Sequence, residues 1–321
     1  MHLNSALSTI LPPSSVSTPC PVCNSEKTLL SRADVIDFEY SVELHQEYCE
    51  YRCTACDSEF LFPRPSEEQI RSFYPLNYHA YHDDHGVIAR VLVSLRSGMR
   101  ARYYQALTCR TRIPRIFDVG AGDCRHFDAL KRHGQFDFVG VEIKPEIADK
   151  ARKRGYDIET GTLESMDISR FVGTCDVVSM NHVIEHVSDP SVMAIRAFEL
   201  LKPGGVAVGQ LPSNSCWEAR IFGRYWAGYH FPRHLQCFSR MGLKSLLERA
   251  GFVDVKVTSA PHLQSALSLQ NALIGSGWRP EMKFGKVPIY SLLLLLVVPL
   301  ELLAYIFGQT GIINFEARRP S

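Results

Sequence analysis

Neither sign of charge dominates this chain of 321 residues: 35 Lys and Arg stand against 34 Asp and Glu, a formal net charge of +1. A chain without surplus positive charge has no electrostatic handle on a polyanion, so a small molecule is expected as substrate and nucleic acid is not. No secretory leader is expected either. Met1-His2-Leu3-Asn4-Ser5 has neither a basic n-region nor an apolar h-region, and residues 1–19 run through a Pro/Ser/Thr stretch that reads as a flexible tail. The chain is also short of apolar runs that could cross a bilayer: the stretch Val287–Leu300 holds 14 uncharged residues, interrupted by Pro288 and Pro299. Nor do the 10 cysteines form a disulfide framework, because six are scattered and four make two C-x-x-C pairs. Reduced thiols and metal chemistry in the cytoplasm are the expectation.

Residues 20–62 carry the cysteine pairs, and residues 63–112 are a Tyr-, His- and Arg-rich lead-in ending in a helix from about Val87 to Cys109. From Ile113 to the end, short apolar runs alternate with helical stretches, as in a βαβ series with a parallel sheet. Strands are expected at Arg115–Val119, Phe138–Glu142, Asp157–Thr160, Cys175–Met180, Gly205–Leu211 and Val253–Ser259. Helices are expected at Arg125–His133, Ile147–Arg154, Ser191–Leu201 and Arg240–Ala250. Lys202-Pro203-Gly204-Gly205 should stop one helix and turn the chain into the next strand.

The run Ile116-Phe117-Asp118-Val119-Gly120-Ala121-Gly122-Asp123-Cys124 is an apolar strand carrying an acid, then a glycine pair, then an amphipathic helix. Glycines let backbone approach a ligand closely, and a helix N-terminus offers unpaired N–H groups to a carboxylate. Alone, the pair also suits an ordinary tight turn. Glu142 adds weight: it ends the next apolar run, where an acid can accept both hydroxyls of a ribose. The third glycine of a dinucleotide fingerprint is absent, which disfavours a nicotinamide-dependent oxidoreductase or epimerase on the same topology.

These residues resemble the first two motifs of the class I S-adenosylmethionine-dependent methyltransferases. Cys175–Pro190 is similar to the family's fourth-strand segment, and Leu200–Gly205 to the turn before strand five. The resemblance covers about residues 113–260. It implies an α/β, Rossmann-like sheet of seven strands in the order 3-2-1-4-5-7-6, with S-adenosylmethionine as cofactor. It places Asp118, Gly120 and Gly122 around the methionine half, Glu142 on the ribose, Leu163 and Glu164 near the adenine, and Asn181 beside the cofactor. Relatives often carry glycine where Cys124 stands and an acid where Thr162 stands.

Methyl transfer from a sulfonium needs alignment and exclusion of water more than a nucleophilic side chain, and a base helps when the acceptor is a hydroxyl or an amine. His182 and His186, four residues apart just after the fourth strand, are candidates, and so is His234. The string His182-Val183-Ile184-Glu185-His186 also reads as the H-x-x-E-H of inverted zinc peptidases, but those carry it within a long helix. The segment is similar to ubiquinone-pathway O-methyltransferases, which implies a second, divalent metal on two acids and a histidine, with His182 replacing the first acid. Tyr225–His234 is a candidate acceptor pocket, in which Arg233 and His234 would anchor an acidic or hydroxylated group. Packing over the sheet's end is the plainer role for all three histidines and for this loop.

Cys20-Pro21-Val22-Cys23 and Cys53-Thr54-Ala55-Cys56 can place four thiolates on one tetrahedral ion with no open position, the donor set of structural zinc. Asp34, Asp37, Glu39, Glu43, Glu47, Glu50, Asp57 and Glu59 surround them, so a protein- or substrate-docking role is expected rather than nucleic-acid binding. Cys53–Tyr81 resembles the front end of bacterial methyltransferases that act on sugars, glycans or lipid-linked precursors. Tyr78, Tyr81 and His82 are candidates to close over the cofactor. The apolar insert at about 262–310 should return to the sheet through a last antiparallel strand, Ile312–Arg318. Its segment 287–307 either packs as core, lies on the inner face of the membrane near an amphiphilic acceptor, or joins two copies as a homodimer. A catalytically idle cofactor-binding scaffold, recruiting a partner through its cysteine module, is the rival to the enzyme.

Overall fold

The computed structural model describes residues 18–40, 42, 44, 46–74, 87–108 and 113–321; Tyr78, Tyr81, His82 and most of the tail lie outside them. In chain order, β1 (Thr28–Arg32), β2 (Cys49–Cys53) and β3 (Glu59–Phe62) are followed by α1 (Glu67–Ser72) and α2 (Val87–Leu107). Next come β4 (Arg115–Val119), α3 (Arg125–Lys131), β5 (Asp137–Glu142), α4 (Pro145–Lys153) and β6 (Asp157–Thr160). Then β7 (Cys175–Asn181), α5 (Pro190–Leu200), β8 (Leu201–Pro212), α6 (Trp217–Phe222), β9 (Gln236–Cys237) and α7 (Arg240–Arg249) follow. The chain ends with β10 (Val253–Ser259), α8 (Ser265–Gly275), α9 (Tyr290–Ile306) and β11 (Ile312–Arg318).

The large sheet has the order β10-β11-β8-β7-β4-β5-β6. With its seven strands numbered in chain order, this is 3-2-1-4-5-7-6 read from the β6 edge, with β11 antiparallel to both neighbours. Burial follows from position. Residues 175–180 of β7 are all buried, as a continuous apolar run at the sheet's centre must be, whereas β10 at the edge has no buried residue. Phe117 packs edge-on against Phe171, with ring centroids 5.1 Å apart and both side chains fully buried. Asp189 starts α5 by accepting from the Ser191 and Val192 N–H groups, with Pro190 in the first turn where no donor is needed.

Strand β8 begins earlier than the sequence suggests. Cys175 pairs with Leu201 and Val177 with Val206, so Lys202–Gly205 loop out as a bulge within the strand, around Gly204 at φ 75°. The small sheet also holds a surprise: its order is β1-β2-β3-β9, and β9 comes from the loop after β8. Buried Cys20, Val22, Tyr51 and Phe60 are continuous with the core that contains Phe117, Val178 and Leu243. The cysteine segment is therefore built into the face of the large domain.

Candidate active site and cysteine centre

The turn after β4 is locked to β5 by the Gly120 and Ala121 N–H groups, which both donate to the Val141 carbonyl at 2.9 and 3.0 Å. Gly120 and Gly122 have φ of 74° and 58°, a region that disfavours side chains. A Cβ on Gly122 would meet nothing within 4 Å, so open space lies over the turn where a ligand can pass. Glu142 ends β5 with its carboxylate fixed: Oε2 accepts the Gly122 N–H at 2.9 Å and Oε1 the Lys144 N–H at 3.0 Å. Each oxygen keeps a lone pair for a ribose hydroxyl. Asp118 sits beneath the turn, 3.0 Å from His126 Nε2.

Cys124 has φ 63°, a glycine-type backbone carrying a buried thiol. Leu163 and Glu164 follow β6, beside Glu142, whose carbonyl accepts the Gly161 N–H. The Leu163 side chain is fully buried, so it offers packing rather than an exposed edge to an adenine, while Glu164 is half-buried. Asn181 closes β7 with its Nδ2 donating to Ser179 Oγ at 2.7 Å.

The three candidate histidines have different surroundings. His182, at φ 53°, leaves its side chain 47% exposed; its Nδ1 lies 3.3 Å from Glu185 Oε1 and its Nε2 3.4 Å from Gln210 Oε1. Burial disfavours the charged ring, but Glu185 and Gln210 outweigh it and hold the pKa above its ordinary value. His186 and His234 point inward, with Nδ1 at 2.9 Å from the Arg233 carbonyl and 2.8 Å from the Gly228 carbonyl. Those contacts place the proton on Nδ1 and leave each Nε2 lone pair free. Burial lowers both pKa values, most for His234. Donor atoms of Glu185, His186 and His234 lie within 4.8 Å of one another, and neither oxygen of the fully buried Glu185 has a hydrogen-bond partner. Free Nε2 atoms backed by Nδ1 contacts to carbonyls are what metal-ligating histidines present. This donor set fits a divalent cation, with His234 as the third ligand and His182 outside it.

Arg233 does not face an acceptor, contrary to expectation. Its fully buried guanidinium is spent on Asp37, at 2.8 and 2.9 Å, with further donation to the Phe73 and Phe231 carbonyls. His230 Nδ1 in turn pairs with Glu39 at 2.9 Å. Asp37, Glu39, Glu50 and Glu59 are buried, so these acids bind the cysteine segment to its neighbours instead of forming a negative surface. Arg64, just beyond β3, donates to the carbonyls of Leu235 and Ser188, and Gln236 Nε2 to those of Ile184 and Val187. The turn carrying His182, Glu185 and His186 is thus held in place from the cysteine-bearing side.

Cys20, Cys23, Cys53 and Cys56 have all four sulfurs within 4.8 Å of one another, including 3.8 Å for Cys20 to Cys56 and 3.4 Å for Cys23 to Cys53. Four sulfurs at ~2.3 Å from a tetrahedral zinc would be ~3.8 Å apart, so the donor set fits such an ion. The two knuckles match each other: Asn24 and Asp57 both take positive φ and donate to the carbonyl of the first cysteine of their pair at 2.8 Å. The hydrogen bond from Cys20 and those from Ser58 lower Cys56 to about 5, while burial is the main push that takes Cys23 up to about 12.

One buried cluster has no counterpart in the sequence reading. Glu218 on α6, His262 after β10 and Glu301 on α9 converge, with His262 Nε2 3.5 Å from Glu218 Oε1 and 3.6 Å from Glu301 Oε2. His262 Nδ1 accepts the Gln264 N–H at 2.8 Å, so Nε2 carries the proton and faces the carboxylates. That tautomer suits a shared proton, not a metal. No spacing in the sequence announces three residues so far apart.

A doubly wound sheet with one inverted strand, an open glycine turn after the first parallel strand and a fixed acid ending the second is the class I methyltransferase arrangement. The chain belongs to that family: the family model described as "Methyltransferase domain" matches residues 85–257. Among curated proteins it is similar to the ubiquinone biosynthesis O-methyltransferase of Cereibacter sphaeroides, 28% identical over 151 residues, covering 44% of this chain and 61% of that protein. It is also similar to the ubiquinone biosynthesis O-methyltransferase of Coxiella burnetii, 29% identical over 98 residues, covering 28% of this chain and 40% of that protein. The match thus spans less than two thirds of either relative. Among solved structures it is similar to a SAM dependent methyltransferase from Archaeoglobus fulgidus, at 18% identity and TM-score 0.47, covering 72% of this chain and 94% of that one. An S-adenosylmethionine dependent methyltransferase from Mesorhizobium loti gives 15% identity and TM-score 0.45, covering 68% and 96%.

Proposed function

We propose that this protein moves a methyl group from S-adenosylmethionine to a hydroxyl or amine of a small-molecule or lipid-linked acceptor, with His182 taking the acceptor's proton. The observation that carries the reading is the open turn over Gly122 beside the fixed Glu142 carboxylate, with His182 at the end of the adjacent parallel strand. Bound there, S-adenosylmethionine supplies a methyl carbon already activated by its sulfonium. Gly120 and Gly122 keep the path clear, Glu142 receives the ribose hydroxyls, and Asp118 with Asn181 borders the methionine end. His182 would take the acceptor's proton as the methyl group is transferred. Glu185 holds the ring that receives it.

We infer further that Cys20, Cys23, Cys53 and Cys56 hold a structural zinc. Through Arg64 and Gln236, such an ion would steady the His182 turn without touching the reaction. A divalent ion on Glu185, His186 and His234 is a second reading, favoured by donor atoms of all three lying within 4.8 Å of one another and by the Nδ1 contacts of both histidines to backbone carbonyls. In that case the ion would polarise an acceptor oxygen and His182 would remain the proton acceptor.

Calorimetric titration with S-adenosylmethionine tests the core of the reading. Wild type and His182→Ala should both bind, and Glu142→Ala should not. With an acceptor found by screening for S-adenosylhomocysteine release, His182→Ala should turn over at least about 100-fold more slowly. Binding of NAD alone would return the protein to the oxidoreductase class, and binding without turnover on any acceptor would favour the idle scaffold.

A further inference from the structure

We propose that α9 docks the protein on an anionic lipid surface, lying flat in the headgroup region. The helix touches the protein through a narrow stripe, with Leu293, Val297, Glu301 and Ala304 buried. Its other sides carry Leu295 at 72% exposure, Leu296 at 61%, Ile306 at 65% and, just past the helix end, Phe307 at 72%. With 100° per residue, the exposed positions from Leu292 to Phe307 fan over roughly 200° of the helix. A single partner helix covers a much narrower seam, so a second copy of this chain would leave most of the apolar face in water. A lipid interface covers all of it.

Charge points the same way. The helix carries no charge on its exposed sides, and the exposed Lys283 and Lys286 lie just before it, with Lys286 Nζ 5.0 Å from the Tyr290 ring centroid. Arg279 adds a third positive charge against the single acid Glu281 in that loop. Basic residues flanking an apolar helix are drawn to anionic headgroups. Among the described residues no helix is long and apolar enough to cross a membrane, and the chain beyond Gly308 rejoins the sheet as β11. A surface helix meets both conditions.

Topology puts this helix near the site. The insert leaves β10 at Ser259 and returns at Ile312, which pairs with Pro212 at the carboxyl end of β8. That end of the parallel strands also carries Glu142 and His182, so a docked α9 would bring the cofactor end of the sheet to the lipid. The docking is independent of methyl transfer.

Cosedimentation of the full chain with vesicles tests it, using phosphatidylglycerol mixed into phosphatidylcholine, and pure phosphatidylcholine as the neutral arm. Wild type should partition onto the anionic vesicles at least about tenfold more than onto the neutral ones at low salt. Leu295→Ser/Leu296→Ser/Ile306→Ser, all at exposed positions, should lose vesicle binding while keeping its circular dichroism and S-adenosylmethionine binding. Lys283→Glu/Lys286→Glu should reduce the anionic preference without removing the apolar contact. Equal binding by the serine variant would overturn the proposal. So would a wild type that ignores vesicles and forms a dimer broken by the same substitutions, which would make the face an interface between copies.

Discussion

Glu218→Gln should stabilise the protein at alkaline pH and leave it almost unchanged at acidic pH. Glu218 is 1% exposed; Oε1 accepts the Gly311 N–H at 3.0 Å, and Oε2 has no hydrogen-bond partner. Around it stand His262, Glu301, Ser265 and Trp226, with His182 near His262 as the next charged group. Burial, then the charge of Glu301, raises its pKa from 4.5 to about 7. An acid with a raised folded-state pKa contributes fully below its unfolded pKa, and that contribution is lost as pH rises through the folded value. The loss therefore runs from about 4.5 to about 7. It totals roughly 3 kcal/mol, at about 1.4 kcal/mol per pH unit.

Glutamine has the same shape, keeps an oxygen for Gly311 and never ionises. Relative to wild type it should gain roughly 3 kcal/mol at about pH 8.5 and under about 1 kcal/mol at about pH 5. In thermal melts the alkaline gain corresponds to roughly 5 °C in unfolding midpoint. His262 works in the opposite sense: burial and then the charge of His182 lower it to about 4, so its contribution is lost as pH falls from 6.5. Both proteins carry that loss, so it largely cancels in the difference between them. A variant-minus-wild-type difference that is flat between the two pH values, or larger at the acidic one, would refute the reasoning.

Two further predictions concern the cysteine-bearing side. Purified protein should release one zinc per chain on treatment with a mercurial, detected with a colorimetric chelator, and Cys56→Ser should lose the metal together with thermal stability. Arg233→Leu should destabilise by about 3–5 kcal/mol in urea titration, because it strands the Asp37 carboxylate in the interior. Adding Asp37→Leu should recover much of that loss; if the double variant is no better than the single, the pair is not the source of the effect.

Most of the large sheet was legible because its information is local. Phe138–Glu142 and Cys175–Met180 are apolar runs as long as buried parallel strands, bounded by turn residues, and an acid or a glycine pair at their ends marks the ligand face. What stayed hidden depends on partners distant in sequence. Asp37, Glu39 and Glu50 look like part of a charged surface until Arg233, His230 and Arg32 are found beside them. Arg233 looked like a substrate anchor because an arginine beside aromatics reads the same whether it faces a pocket or the interior. Glu218, His262 and Glu301 meet only because the insert folds back over α6. Strand β9 is two residues long and has no periodicity to detect.

That short strand has a bearing on the order of synthesis. Phe60 pairs with Gln236, about 175 residues later, so the small sheet cannot be completed until the ribosome has passed the end of β8. Its four cysteines, by contrast, are all available once the first 56 residues have emerged. A captured metal ion would then hold β1, β2 and β3 in register as a waiting template, against which the later loop docks and brings the histidine turn to its working position.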